Sequence, residues 1–397
     1  MDAYLIDWAN LLLRWLHLIV GIAWIGASFY FVWLDNSLKP PEDQSLKDKG
    51  VMGELWAVHG GGFYNPQKYL GVPKALPDHL HWFYWESYAS WMSGFALFVV
   101  LYLFNPTIYL IDKRVFDLSP ALAITAALGF LVAGWLVYNT ICRVFGERGE
   151  KADLIVGLLV SLWVVVAAWA ACHLFSGRAA FLLTGAMIAT IMSANVLIWI
   201  IPGQRKVIAS MKAGQAPDPI HGKRAKQRSV HNTYFTLPVL LSMLSNHYSM
   251  LYQAKHNWVV LVVLMLAGVL IRQFFIARHK GNIQWGWWAA GIALIVGVIV
   301  ALAPDRSAAL SSSAGTKAPA FSDIKAIVDQ RCIACHNAQV ISKNIQLHTD
   351  ALIVANAQAI YQQAVVLRIM PMANATNITE QERAALGAWF KAGAAIR

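Results

Sequence analysis

The sequence predicts an all-α protein. Residues 1–303 form a polytopic membrane bundle of about eight transmembrane helices, 304–320 a flexible linker, and 321–397 a small all-α C-terminal domain. Three observations predict this. Of 397 residues, 58% are hydrophobic and only 13% charged, with 17 Trp, a balance typical of membrane proteins. Apolar runs of about 20 residues recur, the length that crosses a hydrocarbon core. Beyond residue 320 the chain loses that character and carries amphipathic helical patterns instead.

The spans fall at roughly 8–34, 81–104, 119–141, 154–175, 179–201, 233–253, 257–277 and 285–303. The sixth is interrupted by Pro238, Ser242, Ser245, Asn246 and His247, polar residues of the kind that face a bundle interior. Alternate loops differ sharply in charge. One set holds seventeen basic residues, among them Lys39, Lys47, Lys49, Lys68, Arg143, Arg148, Arg205, Lys223, Arg224, Arg228 and Lys280; the other holds four, Lys113, Arg114, Arg178 and Lys255. By the positive-inside rule the first set is cytoplasmic and both termini are periplasmic. This asymmetry explains the net charge of +11 without nucleic acid, for which no basic, aromatic-lined module is present. Met1 to Trp8 has no Lys or Arg and carries Asp2 and Asp7, so a cleavable signal peptide is not expected. Pro304 to Ala320 is rich in Ser, Ala and Pro, the composition of a linker.

The C-terminal domain contains Cys332-Ile333-Ala334-Cys335-His336, the attachment pattern of a c-type haem. Two thiols at this spacing meet the two porphyrin vinyl groups, and the adjacent imidazole reaches the iron. The same Cys-x-x-Cys also suits half a zinc site or a redox dithiol. The remaining cysteines, Cys142 and Cys172, lie in or beside apolar runs, read as buried thiols, and complete no second pair. An amphipathic run, Phe321 to Gln330, leads into the motif. Thr379 with Glu382 forms a capping box that opens a last helix, and Met370-Pro371-Met372 lies between. Residues 321–397 thus resemble a monohaem cytochrome c. The resemblance implies Met370 as sixth iron ligand, with Met372 as the alternative; both as core filler is the structural reading.

Several polar residues sit where lipid is expected. Arg14, His17 and Gly21 share a face of the first span, and the glycine leaves room for something flat and large. His17, with Trp24 and Gly26, is similar to the first helix of membrane families related to copper-resistance and haem-synthesis proteins, where such a His binds b-haem. A His bonded to a neighbouring helix is the plainer alternative. His17, His173 and His247 are all placed in the outer half, and together they suggest a second, non-covalent haem b. On the cytoplasmic side, His59-Gly60-Gly61-Gly62-Phe63-Tyr64 and His79-Leu80-His81-Trp82 lead to Glu86. The glycines admit close backbone approach to a ligand but lack the Gly-Lys-Ser/Thr of a phosphate loop. A tight turn with aromatic interface anchors competes with a ligand role there.

Taken together, His59 to Tyr64, Leu80 to Glu86, Asn232 to Pro238 and Leu244 to Tyr248 resemble the bacterial membrane-bound urate oxidases (urate hydroxylases), in which an eight-span domain is fused to a cytochrome c. The resemblance implies oxidation of urate to 5-hydroxyisourate in the bacterial inner membrane. Electrons would pass to the fused cytochrome and on to a terminal oxidase or soluble cytochrome. It makes His59, His81, Glu86, Asn232 and Asn246 candidate substrate contacts. Two other classes fit composition and motif: a haem-based quinol–cytochrome oxidoreductase, and a solute transporter with a cytochrome tether. Inverted repeats would favour the transporter, and none is evident.

Overall fold

The long apolar runs form helices, in which the backbone satisfies its own polar groups. A computed structural model describes residues 2–69, 73, 76–303, 319–339, 345–374 and 376–396. In chain order, α1 (Asp2–Ser37) leads to α2 (Gln44–Asp48) and four short strands, β1 (Val51–Glu54), β2 (Ala57–His59), β3 (Gly62–Tyr64) and β4 (Gln67–Tyr69). Next come α3 (Trp85–Phe98), extended by a π turn to Leu103, α4 (Pro106–Tyr109), α5 (Pro120–Phe145) and α6 (Ala152–Leu174). Then α7 (Gly177–Ala194) continues through a π turn (Asn195–Ile200) into α8 (Ile201–Lys212). Helices α9 (Pro219–Leu244), α10 (Ser249–Tyr252), α11 (Asn257–His279) and α12 (Trp285–Ala301) complete the N-terminal part.

Five helical segments are long and apolar enough to cross a membrane: Tyr4–Ser37, Pro120–Phe145, Ala152–Leu174, Gly177–Lys212 and Asn257–His279. Helices α3, α9 and α12 accompany them but are shorter or more polar. Local signals set several boundaries. Ser119 and Ser176 cap α5 and α7 through Leu122 and Ala179 N–H groups, and Asp218 caps α9 ahead of Pro219. The core centres on α7, where Phe181, Leu183, Met187, Ile188 and Ile191 are buried against α5, α6 and α9. Cys142 and Cys172 are buried free thiols, as expected from their apolar settings.

Three features depart from the sequence reading. The sixth span begins as helix at Pro219, not near 233, because α9 presents Lys223, Arg224 and Arg228 along a polar face that hydropathy does not register. The fifth continues to Lys212. The first long loop is not purely helical and irregular but folds two antiparallel ribbons, β1 with β4 and β2 with β3. Gly60 and Gly61, at φ +59° and +80°, form the two-residue turn between His59 and Gly62, a conformation that favours glycine.

The C-terminal part packs α13 (Phe321–Arg331), α14 (Asp350–Ala355), α15 (Ala357–Ile360) with a following π turn, and α16 (Glu380–Lys391). Phe321, Ile324, Val328, Ile353, Leu386 and Trp389 form its core. It rests on the bundle end formed by α4 and α10. Gln253 donates to the Arg368 carbonyl at 2.7 Å, Ser249 donates to the Leu367 carbonyl, and the turn Met372–Asn374 lies on α4. The linker residues 304–318 lie outside the described residues.

The capping box stands as read: Thr379 Oγ1 accepts the Glu382 N–H at 3.2 Å, and Glu382 Oε2 accepts the Thr379 N–H at 2.6 Å. Arg331 adds donors to Glu382 Oε1 at 2.9 and 3.1 Å. Burial by itself would raise the Glu382 pKa, but the Thr379 and Arg331 hydrogen bonds outweigh it and hold the carboxyl below its ordinary range. A carboxyl so lowered contributes stability above its unfolded pKa and loses it as pH falls through the folded one. Glu382→Gln should therefore destabilise the 321–397 domain by about 1–2 kcal/mol at neutral pH. Variant and wild type should converge only as pH falls below the ordinary carboxylate range and through the lowered folded pKa of Glu382, read by amide hydrogen exchange of this segment in the full chain.

Candidate functional site

Polar side chains inside a bundle need partners from neighbouring helices. Such a network joins α5, the π turn after α7, and α9. Asn195 Nδ2 donates to the Tyr138 hydroxyl and to Asn232 Oδ1, both at 2.9 Å, and Asn232 Nδ2 donates to the Met192 carbonyl at 3.0 Å. Tyr138 Oη lies 2.8 Å from His231 Nδ1. With Asn195 donating to the hydroxyl oxygen, the hydroxyl proton is directed to that nitrogen. The π turn sets Asn195 and Trp199 toward this centre. Pro202, one turn on, has no N–H to give the α-type bond to residue 198, which accommodates the wider turn.

Next to the network, at the bundle end that carries the basic loops, is a cleft of about 210 Å³. Arg143, Lys223, Arg224 and Arg228 line it together with Glu147, Gln227 and Trp199. Arg224 donates to Glu147 at 2.6 Å, and that hydrogen bond holds the Glu147 carboxyl below the usual range. Arg228 is 3% exposed. Its guanidinium carbon lies 5.0 Å from the centroids of both Tyr138 and Trp199, and Arg224 faces Trp199 at 5.7 Å. Arg228 and Trp199 Nε1 both donate to the side-chain oxygen Asn139 Oδ1, at 3.1 and 2.9 Å. Its other terminal nitrogen, and Asn195 Oδ1 one layer deeper, have no hydrogen-bond partner among the described residues. A buried cation with a free donor, amides and an aromatic face suit a planar anion.

The sequence candidates are distributed unevenly around this centre. Asn232 belongs to the network. Asn246 lies at the opposite end, accepting from Tyr102 at 3.0 Å and from Arg178 at 3.4 Å. Fourteen residues of α9 and its extension separate the two, ~21 Å of helix rise, so one small ligand cannot touch both. His59 and His81 are exposed, the first on the β2–β3 ribbon and the second against Phe83. Glu86 is half-buried in the first turn of α3. Arg228, Tyr138, Asn195 and His231 were not singled out. Asn195, a lone amide in an apolar run, was the legible signal.

His17, His173 and His247 do not converge. His17 Nδ1 donates to the Ser90 carbonyl at 3.1 Å on α3, and its ring packs on Gly94, where an added Cβ would stand 2.8 Å from Cε1. Ser90 and Gly94 thus take up the Nδ1 and Cε1 edge of the ring, whereas an added Cβ at Gly21 would meet nothing. Ser93 is nine residues, ~14 Å of rise, below Tyr102, whose hydroxyl meets Asn246 beside the exposed His247. His173 is exposed and donates back to Trp169 of its own helix at 2.7 Å.

In the C-terminal domain, Cys332 and Cys335 form no disulfide. His336 Nδ1 donates to the Ile345 carbonyl at 3.0 Å, which leaves Nε2 bare, the tautomer of a metal-ligating histidine. Met370 packs on the same core as Cys332, whereas Met372 begins the turn on α4. These residues fit a covalently held haem with Met370 inward. Among the described residues no group of three or more His, Cys, Asp and Glu is placed to hold a bare metal ion.

The family model described as urate oxidase N-terminal matches residues 3–303. No curated protein and no solved structure matches the chain.

Tyr138→Phe should strand the Asn195 donor and lower the stability of the bundle by about 1–3 kcal/mol. Tyr102→Phe should cost less, because Arg178 still donates to Asn246. Thermal unfolding in detergent compares the two, and equal losses would remove the special place given to the Tyr138 network.

Proposed function

Because the chain belongs to the urate oxidase N-terminal family, we propose that it is a membrane-bound oxidoreductase that converts urate to 5-hydroxyisourate and passes the electrons to its own C-terminal haem domain. The observation that carries this reading is Arg228, buried with a free N–H beside Trp199 at the base of a basic cleft. Urate is a planar anion. Arg228 would pair with it, Trp199 would stack on it, and Arg143, Lys223 and Arg224 would draw it in. The reaction takes one urate and one water to 5-hydroxyisourate, two protons and two electrons. The hydroxyl oxygen comes from water attacking C5. His231 faces the Tyr138 hydroxyl through Nδ1, one helical turn from Arg228.

A haem c held by Cys332, Cys335, His336 and Met370 would supply a one-electron acceptor. Arg228 and Asn246, at the two ends of the bundle, are eighteen residues apart, ~27 Å of rise, so the bundle itself must relay charge. A row of rings leads toward the docked domain: Trp91, Phe95, Phe98, Tyr102 and Tyr109, with successive centroids 5.2, 6.4, 5.7 and 5.2 Å apart. Trp91 starts the row with a hydrogen bond to Thr190 of α7, and Tyr109 ends it in α4, against which the turn 372–374 lies. The charge asymmetry of the loops supports an orientation with both termini periplasmic, and the family resemblance supports the bacterial inner membrane.

Anaerobic addition of urate to the purified full-length protein should reduce its haem bands, with no stoichiometric peroxide when oxygen is admitted. One peroxide per urate without haem reduction would overturn the electron route. Arg228→Gln should weaken urate binding by roughly tenfold or more while leaving haem content unchanged.

In the same preparation Met370→Ala should remove the sulfur-to-iron charge-transfer band and Met372→Ala should retain it. The reverse would move the ligand to Met372.

A further inference from the structure

The C-terminal domain buries a guanidinium that the reaction proposed above leaves unused. Arg383 of α16 is 6% exposed. Its Nη1 donates to the Met370 carbonyl at 2.8 Å and also to the Ala364 carbonyl. Ala364 belongs to the π turn Tyr361–Val366, whereas residues 367–370 lie in no helix or strand. The Met370 N–H donates to the Gln363 carbonyl at 3.0 Å. Both polar groups of the Met370 backbone are therefore fixed, one by the π turn and one by α16. The frame behind this clamp is close-fitting. Tyr361 stacks on Phe390 with centroids 4.4 Å apart, and a Cβ added at Gly387 would stand 3.2 Å from Val365 Cγ1. Glu380 approaches Arg383 Nε to 4.0 Å but is largely exposed and pairs with Arg368 at 2.9 Å, so the two carbonyls hold this guanidinium more than the carboxylate does.

A buried cation is costly to keep, and here one nitrogen of it orders a stretch of backbone that no helix or strand supports. That stretch carries Met370, whose side chain packs on the same core as Cys332. A thioether is a soft, weak ligand, which a nitrogen base displaces from iron unless the chain holds the sulfur in place. We infer that Arg383 is a positioning residue for the sixth iron ligand: by clamping the Met370 backbone it keeps the thioether on the iron and the haem closed to small ligands. A haem closed on both axial sides suits electron transfer and not ligand binding. The inference rests on the haem and Met370 reading given above; the clamp itself is made by the chain's own atoms.

The test titrates imidazole into the oxidised full-length protein and follows loss of the sulfur-to-iron charge-transfer band. In this exchange a bond from imidazole nitrogen to iron replaces the bond from sulfur, and no electron moves. Arg383→Gln should raise the apparent affinity for imidazole at least about tenfold at equal haem content. Arg383→Lys keeps the charge but ends one atom short of Nη1, so it should fall between wild type and Arg383→Gln. Thr379→Ala removes the cap of the same helix and should stay within about twofold of wild type. An equal rise in Thr379→Ala would make Arg383 a residue of general stability and overturn the inference, as would wild-type affinity in a haem-loaded Arg383→Gln. If Arg383→Gln loads no haem, Arg383→Lys decides: a rise of at least about threefold is expected, and wild-type affinity would overturn the inference. A wild-type chain without covalent haem would refute the haem reading itself, and this inference with it.

Discussion

The hydroxyl of Tyr138 holds the centre of the bundle together. It is fully buried, and in an apolar interior a lone hydroxyl or amide carries the whole desolvation cost. Tyr138 on α5 is satisfied only because Asn195 and His231 come to it from the segments on either side. Asn195 in turn has both amide protons used, one on Tyr138 and one on Asn232, and Asn232 closes onto the Met192 carbonyl. Slipping any of these helices by one turn breaks several of those bonds together, so the network fixes axial register where apolar packing alone would tolerate sliding. Apolar helices have no hydrophobic drive to associate in lipid, which gives such polar contacts more weight than their number suggests.

That fixed register also creates the open valences. Arg228 is one turn from His231 and Asn232 on α9, so holding those two in place draws its guanidinium to the cleft base beside Trp199. Asn139, next to Tyr138, accepts from both Arg228 and Trp199 and sets their spacing. Among the described residues one Arg228 guanidinium nitrogen and the side-chain oxygen of Asn195 remain without partners. Buried polar groups in folded proteins are as a rule paired, so two unfilled valences beside one cleft mark a place suited to a guest.

The sequence made the apolar helices legible through run length, the C-terminal domain through its Cys-x-x-Cys-His motif, and the last helix through Thr379 and Glu382. The candidate site was harder to read. Hydropathy marks what faces lipid, whereas Arg228 is buried within a helix whose first half reads as a basic loop. His17 drew notice as a lone histidine in an apolar run, yet its ring is bonded to Ser90 and packed on Gly94. The difference is made by a glycine on another helix, which no local pattern connects to residue 17. The three glycines after His59 illustrate a further limit. Glycine shows that the backbone turns tightly, but whether the turn cradles a ligand or joins two strands depends on pairing of the flanks, here Ala57 with Tyr64.

The segment 367–374 ties the two parts of the chain into one functional geometry. The Leu367 and Arg368 carbonyls accept from α10, and the turn 372–374 lies on α4. Between these two contacts, Met370 points its side chain into the domain core, and its carbonyl accepts from Arg383 at 2.8 Å. The stretch that holds the domain on the bundle is therefore the stretch that carries the inward methionine. A domain tethered only by a flexible linker would sample many orientations, and electron transfer would wait on a productive encounter. Docking through the methionine segment removes that search and places the domain where the ring row ends, at Tyr109. Under the electron route proposed above, the cleft and the docked domain lie at opposite ends of the bundle, so the route would have to pass along the bundle between them. The buried network and the inner rings of the aromatic row, Phe98 and Tyr102, occupy that interior, so residues remote from both ends have reason under that proposal to be held as rigidly as those at the cleft.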